Sequence, residues 1–206
     1  MVCIAITGGL ASGKSTMSAY LRHRFGIAVL DADDVVSSLY SHDTKIIQDF
    51  VAYFGQRILR AQGGIDTKLL AELIFSSDAH RDFVQAAVHP VVRDRLMLFS
   101  KQHAHQYVYC VVPLLYETNT AKYYDATLVV DCEPSQQRER ALQRGMQGGL
   151  VSRIMAMQST REEKLSIADD VVYNTRDLAF LHRQINKLFI THRRRGYITS
   201  NVCGKF

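Results

Sequence analysis

The chain has 206 residues, 47% hydrophobic and 22% charged, with 25 Lys and Arg against 20 Asp and Glu for a net charge of +5. This composition suits a folded core and excludes long disorder, and the length suits one large domain or a core carrying an insert. The longest apolar run, Tyr107–Tyr116, contains Pro113 and falls short of the roughly 20 residues a membrane span needs, while Met1–Ile6 lacks the cationic stretch of a secretory signal.

Short apolar runs alternate with helix-period segments. Val2–Ile6 reads as a buried strand stopped by Gly8-Gly9. A helix follows, with Met17, Leu21 and Phe25 at four-residue spacing and Gly26 as its stop. Ile27–Leu30 is a second strand. About 75 residues then look wholly helical, with one apolar stripe at Leu69, Leu70, Leu73 and Ile74. A second stripe runs through Phe83, Ala87, Val88, Val91, Val92 and Leu96, with a kink or start expected at Pro90. Tyr107–Val112, Ala126–Cys132 and Asp170–Tyr173 are three more strands, and Leu178, Leu181, Ile185 and Leu188 mark a last helix. Continuous apolar strands separated by helices imply an α/β fold with a parallel sheet covered on both faces. Cys3, Cys110, Cys132 and Cys203 form no C-x-x-C pair and read as reduced thiols rather than a zinc site.

The charge is uneven. Residues 1–132 carry a net −1 and residues 133–206 a net +6, which raises the question of an anionic partner. The clearest chemical signal lies elsewhere, in Gly8-Gly9-Leu10-Ala11-Ser12-Gly13-Lys14-Ser15, a G-x-x-x-x-G-K-[ST] loop between a strand and a helix, followed by Thr16. Its glycines let successive amides face a phosphate chain. Lys14 is expected on the β- and γ-phosphates and the Ser15 hydroxyl on Mg²⁺. No N-K-x-D guanine signature occurs, and a motor ATPase would be longer. Asp31-Ala32-Asp33 ends the second strand, on the edge where open parallel sheets gather ligands, and beside the loop if strands one and two are neighbours. On an extended segment Asp31 and Asp33 share a side, and a carboxylate there suits proton removal from an attacking hydroxyl. The competing assignment makes Asp33 or Asp34 a helix cap.

In order along the chain come Thr7–Thr16, Asp31-Ala32-Asp33, Phe54-Gly55, Gly64-Ile65-Asp66, Leu70, Ile74-Phe75 and His89-Pro90. Then come Val112-Pro113-Leu114-Leu115-Tyr116-Glu117, Gln137, Arg140, Arg144, Arg153, Gln158, Lys164, Ala168-Asp169 and Asn174. This series resembles the dephospho-coenzyme A kinase family over nearly the whole chain. The resemblance implies a three-layer P-loop kinase fold: a parallel five-stranded sheet with helices on both faces, a helical substrate-binding insert and a short lid. The nucleotide core would comprise residues 1–33 and 104–206, with the lid at about 138–155 and the helical insert at 34–103. The implied reaction moves the ATP γ-phosphoryl, with Mg²⁺, to the ribose 3′-hydroxyl of dephospho-coenzyme A. Gly8 to Thr16 would cradle the phosphates, Asp33 would be the base, and Asp31 would sit near metal-bound water. His89 and the Pro113, Leu114, Leu115 and Glu117 segment would lie near the acceptor. Arg140 and Arg144, one helical turn apart, would close over ATP, and Asn174 would lie near the adenine. Each has a plainer alternative: a helix-end histidine, a strand-ending proline, a turn asparagine, solvated arginines.

The chain departs from the family in two places. Thr67, followed by Lys68, stands where an arginine is usual, and Gly145–Gly149 shortens the spacing to Arg153. The partners implied are ATP and dephospho-coenzyme A, with no nucleic acid and no membrane, in a cytoplasmic monomer. The alternatives are another P-loop small-molecule kinase, or a nucleic-acid-binding nucleotide switch using the basic C-terminal third. The His192–Arg195 cluster in that third reads better as a solvated helix end.

Overall fold

The computed structural model describes residues 2–103 and 107–196; Cys203 lies outside them. The chain divides into two compact units, one formed by the chain up to Leu30 and from Ser100 onward, the other by Asp31–Phe99. Asp31 and Asp33 therefore fall in the second unit.

The first unit is built on five strands: β1 (Cys3–Thr7), β2 (Val29–Asp31, whose last residue falls in the second unit), β3 (Val108–Val111), β4 (Ala126–Asp131) and β5 (Asp170–Tyr173). Their order is β2-β3-β1-β4-β5, and β1 pairs in parallel with β3 (Ala5 opposite Cys110) and β4 (Ile6 opposite Leu128). Strand two is thus not the neighbour of strand one. The Tyr109 amide bonds the Ala28 carbonyl at 3.0 Å, so β3 intervenes. Nothing local in a strand encodes this, because a crossover can skip a position.

Both sheet faces are buried, which explains the unbroken apolar runs. Ile4, Ile6, Tyr109, Leu128 and Val130 share one core cluster with Met17 and Leu21 of α1 (Lys14–Phe25) and with Leu181, Ile185 and Phe189 of the last helix. On the alternating positions Cys3, Ala5, Cys110 and Val129 are buried as well. Leu21 and Leu181 are 1% exposed, so truncating either to Ala costs about 2–5 kcal/mol. In chain order β4 is followed by α6 (Pro134–Gln143), α7 (Gly148–Met157), α8 (Arg161–Ser166) and, beyond β5, α9 (Leu178–Arg194). A buried polar chain ties α9 to the sheet. The Tyr109 hydroxyl lies 3.0 Å from His192 Nδ1, and His192 Nε2 lies 3.0 Å from Asp170 Oδ2, which also accepts from Arg195.

The second unit contains α2 (Ala32–His42), α3 (Thr44–Phe54), α4 (Thr67–Ser76) and most of α5 (Asp78–Gln102). It is not wholly helical: a 3-10 turn at Gln56–Ile58 leads into an antiparallel bridge between Leu59 and Ile65. Phe50, at its centre, meets Tyr40, Phe54 and Phe83 at tilted angles, 5.6–5.9 Å between centroids. Pro90 neither starts nor ends a helix but lies within the 25-residue α5. Ala86 and Pro90 are both exposed, so the turn in which Pro90 supplies no amide lies on the helix's solvent side. Among the described residues, no helix is long and apolar enough to cross a membrane.

Candidate active site

In the first unit, β1 runs into the glycine loop and the loop opens α1. Gly8 takes φ 149°, where a Cβ would strike the Val130 carbonyl and the Ser12 hydroxyl. Gly13 caps α1 at φ 108°, where a Cβ would strike the Asn174 amide. Between them Ala11 takes a left-handed φ of 51°, a conformation that turns adjacent amides to one side. Lys14 Nζ donates to the Gly8 and Gly9 carbonyls, both at 2.9 Å, which holds its charge over the loop. The first turn of α1 carries no acidic residue and its Ser15 is exposed. Such an end favours an anion.

Two segments grip the loop from outside. Asn174, just past β5, donates from Nδ2 to the Ser12 carbonyl at 2.8 Å, and its own carbonyl accepts from Arg140 Nη2 at 2.8 Å. Gln158, just past α7, accepts the Leu10 amide at 3.0 Å. Arg140 is half-buried on α6; Arg144, at the C-terminal cap of α6, and Arg153, on α7, are exposed. Ser12 Oγ and Arg140 Nη1 are buried without a hydrogen-bond partner among the described residues. The left-handed turn at Ala11, the Lys14 charge and the acid-free start of α1 fit the charged oxygens of ATP.

Beside Gly8 and Gly9 opens a cavity of about 380 Å³ lined by Asp131, Gln137, Gln158, Thr160, Arg161 and Lys164 among others. Asp131, 4% exposed at the end of β4, takes a two-pronged grip from Arg161: Nε to Oδ1 at 2.9 Å and Nη2 to Oδ2 at 2.7 Å. Arg161 also pairs with Glu133 at 2.6 Å. The Glu117 carboxylate accepts the Ser159 amide (2.8 Å), the Ser159 hydroxyl (2.6 Å) and Lys164 Nζ (3.1 Å). Burial alone would push the Glu117 carboxyl up; the hydrogen bonds from Ser159 and Lys164 outweigh it and hold it below its usual range. The Lys164 and Glu117 side chains are 5% and 19% exposed. Removing Glu117 would leave the buried Lys164 ammonium without its counter-charge and cost stability.

The remaining expected residues divide between the units. Pro113, Leu114 and Leu115 follow β3 in the first; Leu115 is buried and Leu114 exposed. Asp31, Asp33 and His89 belong to the second. Asp31 is the cap of α2, its Oδ1 accepting the Asp33 amide at 3.0 Å, so the capping role falls on neither Asp33 nor Asp34. Because the helix begins at Ala32, Asp33 stands exposed on its first turn rather than on an extended segment. His89 is an exposed position within α5. Thr67 and Lys68 are exposed on the first turn of α4, which Asp66 caps. The partnerships of Asp131 with Arg161 and of Glu117 with Lys164 join residues 30 and 47 apart, beyond the reach of any local pattern. Thr160 and Glu163 form a capping box at the start of α8, each side chain accepting the other residue's amide.

A strand, glycine loop and helix on a parallel sheet ordered 2-3-1-4-5 define a P-loop kinase fold. The model of the dephospho-CoA kinase family matches residues 2–179. A protein named dephospho-CoA kinase from gamma-proteobacterium EBAC31A08 is 37% identical over 186 residues, 90% of this chain and 94% of that one. The crystal structure of TT1252 from Thermus thermophilus is similar at a TM-score of 0.78 and 29% identity, covering 92% of this chain and 97% of that one. A dephospho-CoA kinase from Campylobacter jejuni shares the fold at a TM-score of 0.66 and 21% identity, covering 95% and 98%. The chain belongs to the dephospho-CoA kinase family.

Proposed function

We propose that this chain transfers the γ-phosphoryl group of ATP to the ribose 3′-hydroxyl of dephospho-CoA, releasing ADP and CoA in the last step of CoA biosynthesis. The observation that carries this reading is the phosphate loop held in strand–turn–helix form within a chain matched to the family over residues 2–179. As the hydroxyl oxygen bonds to the γ-phosphorus, the bond to the β–γ bridging oxygen breaks. The hydroxyl proton passes to the Asp33 carboxylate, which is exposed on the first turn of α2. Lys14 and the loop from Gly8 to Thr16, apart from the Leu10 amide that Gln158 takes and the Ser12 amide that bonds the Gly9 carbonyl, hold the phosphates, and Arg140, with Arg144 from the following turn, offsets charge that builds in transfer. Ser15 would hold Mg²⁺, which supplies further neutralisation of the phosphate oxygens. Asn174, which bonds the Ser12 carbonyl, would lie near the adenine. Asp31 acts as cap to the segment that presents Asp33, and His89, Pro113, Leu114 and Leu115 contribute to acceptor binding. Cytoplasmic residence agrees with ATP as donor and with the free thiols of Cys3, Cys110 and Cys132.

The test is a coupled ADP-release assay on purified protein with dephospho-CoA and with other alcohols, nucleosides and sugars as acceptors. Turnover restricted to dephospho-CoA is expected. Turnover of another acceptor with none of dephospho-CoA would overturn the reading.

A further inference from the structure

We propose that Gln158 is a positioning residue for the phosphate loop, and that the Glu117–Lys164 ion pair sets Gln158 in place. The proposal deepens the kinase reading and rests on it.

The geometry runs through three segments of the first unit. Leu10, two residues into the loop, donates its amide to Gln158 Oε1 at 3.0 Å, across 148 residues of chain. Gln158 stands at the end of α7, where its own amide bonds the Ile154 carbonyl at 3.2 Å. The next residue is fastened at nearly every polar atom. The amide and hydroxyl of Ser159 donate to Glu117 Oε1, and its carbonyl and hydroxyl accept from Lys164 Nζ. Thr160 then caps α8 with Glu163. The backbone on both sides of Gln158 is therefore fixed, and its side-chain carbonyl accepts the loop amide.

The chemistry suits an amide rather than an acid. A neutral carbonyl oxygen orients the Leu10 N–H and brings no negative charge beside a polyphosphate; a carboxylate would repel it. Glu117 does carry a charge, but that charge is turned to Lys164 and Ser159. On this account Glu117 reaches the nucleotide only through Ser159, Gln158 and Leu10.

The experiment is calorimetric titration of ADP into the full chain, alongside steady-state kinetics, for wild type, Gln158→Met, Glu117→Gln and the double variant. Gln158→Met keeps the side-chain length and removes the acceptor. ADP affinity should fall about tenfold with one site per chain, and KM for dephospho-CoA should stay within about twofold. A merely structural role would lower the number of competent sites and leave the affinity of the rest unchanged. Glu117→Gln should weaken ADP binding too, and the double variant should lose no more than about twofold beyond the worse single one. Unchanged or tighter ADP binding in Gln158→Met at full stoichiometry overturns the proposal, as do independent, additive losses. Should Glu117→Gln fail to fold, Gln158→Met alone decides. If wild type binds ADP but does not phosphorylate dephospho-CoA, the acceptor assignment fails while the titration still decides the role of Gln158. A wild-type chain that does not bind ADP overturns both.

Discussion

Asn174 reaches from the end of β5 to the phosphate loop, its Nδ2 donating to the Ser12 carbonyl at 2.8 Å while its own carbonyl takes Arg140. One residue thus joins the loop, through its side chain, to α6, through its backbone carbonyl. Asn174→Ala removes that bond, with an expected loss of about 1 kcal/mol in stability. ADP affinity should fall roughly five- to tenfold, because the loop loses its support from this side. Thermal melting and ADP titration read the two effects separately. A full loss of stability with unchanged affinity would confine Asn174 to a structural role.

Gly13 sits against the same amide. Gly13→Ala meets both the positive φ of 108° and the Asn174 side chain, and the φ alone costs about 1–3 kcal/mol. Combining it with Asn174→Ala removes the collision but leaves the backbone strain. The double variant should bind ADP more weakly than Asn174→Ala alone, measured by the same titration.

Asp33 and Asp31 separate by chemistry although they are two residues apart. Asp33→Asn leaves the Asp31 cap intact and should lower kcat by about 10²–10⁴-fold with ADP affinity within about twofold. Asp31→Asn retains a capping oxygen and should keep most of the activity, whereas Asp31→Ala loses about 1 kcal/mol of helix stability. Unaltered turnover in Asp33→Asn would remove it from the base role.

The phosphate loop, α1 and all five strands were legible because each rests on local signals: a glycine spacing, a four-residue apolar period, short unbroken apolar runs. Strand order was not, since Ile27–Leu30 looks the same whether β1 or β3 lies beside it. The roles of Asp31 and Asp33 turned on where α2 begins, and three nearby aspartates all qualify as caps by type. Pro90 would end most helices; it is accommodated here because its turn faces solvent. Glu117 reads as an acceptor contact by resemblance, yet its carboxylate is committed to Lys164 and Ser159, a pairing with no periodic signature.

His192 gives the fold a pH dependence with a definite sign. Burial pushes its pKa below the usual 6.5, against the opposing pull of Asp170. The neutral ring accepts from the Tyr109 hydroxyl and donates to Asp170, an assignment that follows from the partners. The unfolded chain takes up the proton more readily, so the stabilisation is full above about pH 6.5 and is lost as pH falls below it. Glu117, held below its ordinary 4.5, contributes above that value and loses its share only at lower pH. Between pH 7.5 and 5 the melting temperature should therefore fall in wild type, and it should fall less steeply in His192→Gln from a lower start.

The central claim concerns the bond that forms. Incubating the protein with ATP labelled in the γ-phosphoryl group and with dephospho-CoA, then locating the label by mass spectrometry and phosphorus NMR, tests it most directly. The account predicts label on the ribose 3′-oxygen in a one-to-one ratio with ADP. Label in inorganic phosphate alone, or on any other hydroxyl, would contradict it.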